Sequence, residues 1–195
     1  MKIRQVILVL MGMVWSSFCF GQSPEEVSAS GPFWDISVAS YQAQVQLVDA
    51  VWEELLTNED GVSARGLYSL SKRFWVGIEG GISHKEYVPF PNTYRHLYYG
   101  AVGKWVLRER DDIRTCFIFG GGFSRRTLSY AGNWEHSITR PYAMLGISVE
   151  LDIGRWGYVG LETQGRYNAH RKLDNFTALS NRWERIFLFR GGIRF

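Results

Sequence analysis

The chain carries four histidines, His84, His96, His136 and His170, and acid–base or metal chemistry would start from them. A hydrolytic site needs a nucleophile within hydrogen-bond reach of its base. Ser83-His84 and His136-Ser137 are adjacent pairs, and neighbours in a strand point to opposite faces. A loop could still gather Glu135, His136 and Ser137, but an exposed loop histidine is ordinarily only solvated. His96 and His170 have no serine two residues away. The histidines fall in separate segments without ligand spacing, so neither a metal nor another cofactor is expected. Cys116, with Ile118, Gly120 and Gly122 at alternate positions after it, reads as a small buried thiol. No catalytic residue is assigned, and the expectation is a protein that is not an enzyme.

The charges that alternate with apolar residues say more. Arg65, Glu79, Lys104, Glu150, Asp152, Glu162, Arg166, Arg190 and Arg194 each fall on the polar face of a segment with a period of two, the period of a strand with two environments. In a sandwich such faces would meet water. In a closed eight-strand barrel they would meet a bore only wide enough for side chains, where buried charges must be paired. Five bases against four acids is near balance. The expectation is an interior plugged by a charged network, without an open water channel.

The elements that would hold these residues are strand-like segments near 33–46, 61–71, 74–87, 95–108, 113–129, 140–153, 157–171 and 183–195. Phe74, Val76, Ile78 and Ile82 share one face, against Trp75 and Glu79. Leu97, Tyr99, Ala101, Trp105 and Leu107 oppose Lys104 and Arg108. Ala143, Leu145, Ile147, Val149 and Leu151 form an unbroken apolar face. Short connections (71–73, 109–112, 154–157) alternate with longer ones (47–60, 88–94, 130–139, 172–182), as expected of a membrane barrel with short periplasmic turns and longer external loops. Residues 47–57 suit either a short amphipathic helix or a longer first hairpin. Trp34, Trp75, Trp105 and Trp156 fall toward the short turns, and Tyr87, Tyr94, Tyr130, Trp134, Tyr167, Phe176 and Trp183 toward the other end. Two aromatic girdles around an apolar band match bilayer interfaces.

The ends agree with export. Residues 1–21 have a basic start at Lys2 and Arg4, an apolar run Val6–Val14 and small residues before Gln22, the pattern of a removed signal. The run is short of the ~20 residues of a spanning helix. Its removal lowers Lys plus Arg from 22 to 20 against 19 acids, so nucleic acid is not suggested. It also takes Cys19, which leaves Cys116 without an internal partner. Residues 22–32 form a polar, flexible lead to a single barrel domain, 33–195. The final segment, WERIFLFRGGIRF, sets Phe187, Phe189, Gly191, Ile193 and Phe195 on one face and Arg190 and Arg194 on the other.

The signal, the eight alternating segments and this closing FLFRGGIRF together resemble the small eight-stranded outer-membrane β-barrels of the OmpA/OmpX type, over residues 33–195 and at the level of architecture. The resemblance implies an all-β, antiparallel transmembrane barrel in a bacterial outer membrane. It implies that Phe187, Phe189, Ile193 and Phe195 carry the signal read by the barrel-assembly machinery. Lipid and lipopolysaccharide would surround it, with Arg125, Arg126, Arg140, Arg171, Lys172 and Arg182 placed to meet phosphates. The lipid A deacylases, barrels of similar size, use a His-x-Ser pair that this chain lacks. A structural or surface-interaction role is expected. A narrow transport or hydrophobic-ligand barrel and a lipid A enzyme are the alternatives. Oligomeric state and ligand are not legible.

Overall fold

The computed structural model describes residues 34–47, 55–87, 92–130, 134–169 and 183–195. The expected signal and lead, 1–32, lie outside them. Eight strands follow in chain order: β1 (Trp34–Leu47), β2 (Leu55–Ser69), β3 (Phe74–Tyr87), β4 (Asn92–Arg110), β5 (Ile113–Tyr130), β6 (Trp134–Ile153), β7 (Gly157–Asn168) and β8 (Trp183–Arg194). Each pairs antiparallel with the next, and β8 pairs with β1 to close the barrel. The seam runs to the last residue: Trp34 N–H donates to the Phe195 carbonyl at 2.9 Å, and Phe195 N–H to that of Trp34 at 3.1 Å. Closure leaves no unpaired edge, which a lipid-facing sheet requires.

The expected faces hold. Ile78, Ile82, Leu97, Tyr99, Leu145, Ile147 and Leu161 point outward and are exposed, as are Phe187, Phe189, Ile193 and Phe195. Glu79, Lys104, Glu150, Glu162 and Arg190 point inward and are buried. The molecule is thus apolar outside and charged inside, the reverse of a protein folded in water.

Several boundaries differ. β2 begins at Leu55, β4 at Asn92 and β6 at Trp134, so residues read as connection continue the ladder. β5 and β6 stay in register from Ile113↔Leu151 to Tyr130↔Trp134. The outward residues of that extension, Arg125, Ser137 and Thr139, are polar and exposed. Without an apolar face the extension looked like a loop; cross-strand pairing makes it a strand. The first hairpin is likewise lengthened, and no helix occurs over its described part.

Facing errs at one bulge, and the girdle expectation fails at two aromatics. A bulge between Val106 and Arg108 turns both Leu107 and Arg108 outward, so Arg108 does not share the side of Lys104. Trp75 and Tyr94 face the lumen rather than a girdle. Exposed aromatics do remain at both margins, Trp34 and Trp156 at one and Tyr167 against Trp183 at the other. The tight turn at 154–156 needs a left-handed residue, and Gly154 (φ 65°) supplies it.

Candidate functional site in the barrel lumen

The lumen is built in tiers. Nearest the short turns, Asp35 accepts hydrogen bonds from Lys104 Nζ at 2.8 Å, Tyr158 Oη at 2.7 Å and Arg194 Nε at 3.4 Å. Lys104 Nζ also lies 2.8 Å from Glu150 Oε1, and Arg194 reaches Glu150 and, through Nη1 at 2.5 Å, Asp152. The Arg194 guanidinium lies 3.9 Å from the Tyr158 ring centroid. That ring lies flat across Gly192, where a Cβ would come within 2.5 Å of it.

The middle tier crosses the lumen. Arg65 donates to both oxygens of Glu162, at 2.9 and 2.6 Å, and through Nε to Glu79 at 2.5 Å. Arg190 Nε lies 3.4 Å from Glu162 Oε2, and its Nη2 lies 3.5 Å from Glu79 Oε2. Tyr98 Oη donates to Glu79 at 3.1 Å. Two arginines thus meet two glutamates, drawn from β2, β3, β7 and β8. A bidentate fork of this kind fixes geometry as well as charge. Tyr98 repeats the device of Tyr158, its ring lying over Gly81.

The third tier, toward the other end, is less matched. Arg166 lies over the rings of Tyr98 and Tyr142, at 3.8 and 4.7 Å, and 4.0 Å from Glu184. Glu184 is paired with Arg126 and accepts from Asn168 Nδ2 at 2.7 Å. Arg140 is buried, yet its Nε has no hydrogen-bond partner in the described structure. His96 stands between two groups: its Nδ1 is 3.2 Å from Glu59 Oε1, and its Nε2 is 3.3 Å from Ser124 Oγ.

The nine expected interior charges therefore all line the lumen, with Asp152 only part-buried at its rim. Among the expected phosphate contacts, Arg125 is exposed and donates to Ser137 Oγ at 2.8 Å. Arg126 and Arg140 do not fit that role. Strand alternation turns both into the lumen, where they are buried. Arg171, Lys172 and Arg182 lie outside the described residues, as does the side chain of His136. Sequence reading missed Asp35, Glu59, His96, Ser124 and Glu184. Each takes part in a cluster whose other members come from other strands, so no local spacing marks it. Cys116 is buried, as expected.

Fold and lumen together define an eight-stranded outer-membrane-type barrel. Among solved structures the chain is similar to Ail, the attachment invasion locus protein of Yersinia pestis, at 13% identity over 85% of this chain and 100% of that one, with a TM-score of 0.54. It is similar to Neisserial surface protein A at 9% identity, 83% and 97% coverage and a TM-score of 0.63. The N-terminal barrel domain of Pseudomonas aeruginosa OprF matches at 10% identity, 85% and 100% coverage and a TM-score of 0.50. A second Ail structure, at 15% identity, 85% and 100% coverage and a TM-score of 0.56, is a complex with the heparin analogue sucrose octasulfate. At these identities the likeness is one of fold. No family model and no curated protein matches the chain.

Proposed function

We propose that this chain is an integral barrel of a bacterial outer membrane, exported by a cleaved signal, with a structural or surface-interaction role and a lumen closed to solutes. The observation that carries this reading is the inverted pattern: an exposed apolar belt around an interior of paired charges. Such a surface is stable against acyl chains and would aggregate in water. The short turns then face the periplasm. The polar extension of β5 and β6 rises above the outer leaflet. There Arg95, Arg125 and Arg185 are exposed and suit the phosphates of lipopolysaccharide; the expected contacts Arg171, Lys172 and Arg182 lie outside the described residues. The Ail complex with a sulfated sugar offers a parallel for polyanion chemistry on a barrel of this fold.

The test is cell fractionation with gel migration before and after boiling. The protein should partition with the outer membrane, need detergent for extraction and migrate faster unheated than heated. Recovery as a soluble periplasmic protein without detergent would overturn the reading.

A further inference from the structure

We propose that Glu59, His96 and Ser124 form a hydrolytic site for an anionic ester at the outer end of the lumen. This goes beyond the barrel role. The three residues come from β2, β4 and β5 and meet through the atoms such chemistry requires. A carboxylate is acceptor-only when ionised, so Glu59 at 3.2 Å holds the ring proton on His96 Nδ1. That leaves the Nε2 lone pair facing the Ser124 hydroxyl at 3.3 Å. Nucleophile, base and orienting acid are therefore in their working order. The His96 ring is set between those of Tyr94 and Tyr98, with centroids at 6.5 and 6.0 Å, which holds its plane.

A second observation points to a ligand. Arg140 stands directly across from Ser124 in the β5–β6 register, and Arg126 directly across from His96 in the β4–β5 register. Both are buried, and the Nε of each lacks a hydrogen-bond partner in the described structure. Glu59 Oε2 and Ser83 Oγ are in the same condition, and Ser83 is the register partner of His96. The tier nearest the short turns holds no such atom among the described residues, and the Arg65–Glu79–Glu162–Arg190 group holds only Arg190 Nε. Register sets Arg140 beside Ser124 and Arg126 beside His96, and the Arg126 guanidinium is also ion-paired with Glu184. Arg140, across from the nucleophile, suits a substrate bearing a carboxylate or phosphate, and the oxyanion formed on attack. Among the described residues of this tier, three arginines, Arg126, Arg140 and Arg166, accompany two acids, Glu59 and Glu184, which favours an anionic ligand locally.

The site lies at the outer margin of the apolar belt. Asp60, Arg95 and Arg125, the chain neighbours of the three residues, are polar and exposed. Substrate would enter from the outer mouth, because the ion-paired tiers block the other route. Ser124 Oγ bonds to the ester carbonyl carbon as its proton passes to His96 Nε2. The imidazolium returns that proton to the leaving alcohol oxygen as the ester C–O bond breaks. Water then repeats the sequence on the acyl-serine, releasing the acid and restoring Ser124.

The test uses the full chain refolded in detergent, each sample first shown to be folded by its unheated gel migration. Wild type should be labelled by a fluorophosphonate probe, with the modified peptide mapping to Ser124. It should hydrolyse p-nitrophenyl hemisuccinate faster than the uncharged butyrate. Ser124→Ala and His96→Ala should each lose about 10³-fold in rate, and Arg140→Gln should lose the preference for the anionic ester. Mapping the label on wild type requires no variant to fold. Folded wild type that takes no label, or hydrolyses no faster than Ser124→Ala, would overturn the site while leaving the barrel reading intact.

Discussion

Arg65 concentrates the cost and the benefit of burying charge in this lumen. Its guanidinium is held by Glu162 and Glu79 with no water-facing edge. Removing one partner strands the other, whereas replacing the set by apolar groups need not be costly. Glu162→Ala should therefore destabilise the folded barrel by about 3–5 kcal/mol, read as a lower urea midpoint in micelles. An unchanged midpoint would mean that the pair contributes nothing. Gly81 and Gly192 set a different constraint. A side chain at either would meet a tyrosine ring at 2.5 Å, and those rings hold Glu79 and Asp35 through their hydroxyls. Gly192→Val should cost about 1–3 kcal/mol through overpacking. Gly191→Val is its control: the nearest atom to its Cβ is 4.0 Å away, so the same unfolding measurement should barely move.

At the scale of the element, β8 carries two duties on two faces. Its outward Phe187, Phe189, Ile193 and Phe195 belong to the apolar belt, and its inward Arg190 and Arg194 reach the middle and lowest tiers. Phe195 also closes the seam through two backbone bonds to Trp34. Deleting it removes both bonds and the proposed assembly signal together. The deletion should lower the amount of folded barrel in the outer membrane well below wild type, while the exported amount stays similar. Equal assembly of the truncated chain in a fractionation assay would contradict this. The β5–β6 hairpin shows the complementary case. Its apolar half reads plainly as strand, but its polar half becomes strand only through an unbroken register with its partner.

For the whole molecule, closure decides permeability. The ion-paired middle tier spans from β2 and β3 to β7 and β8, which supports the proposed closed lumen in a bore only wide enough for side chains. Planar-bilayer recording of purified protein should therefore show no steady conductance. A steady open level in wild type would refute a closed lumen. Simultaneous truncation of Arg65 and Glu162 to alanine should raise brief openings above that background in the same recording.

The amino-acid sequence by itself determined the period of two, the apolar and charged faces, the number of strands and the presence of near-balanced interior charge. These are properties of neighbours along one chain, and alternation makes them local. Facing went wrong at Arg108, where a bulge adds a residue, and the phosphate role expected of Arg126 and Arg140 fails because continued register turns both into the lumen. The pairings themselves were not legible. Arg65 finds Glu162 across 97 positions of chain and Lys104 finds Asp35 across 69. The Glu59–His96–Ser124 alignment was equally hidden. A search for serine near histidine along one strand cannot find a hydroxyl and a carboxylate contributed by two others. Only closure of the sheet sets which inward residues share a level, because level depends on the register of every strand pair at once.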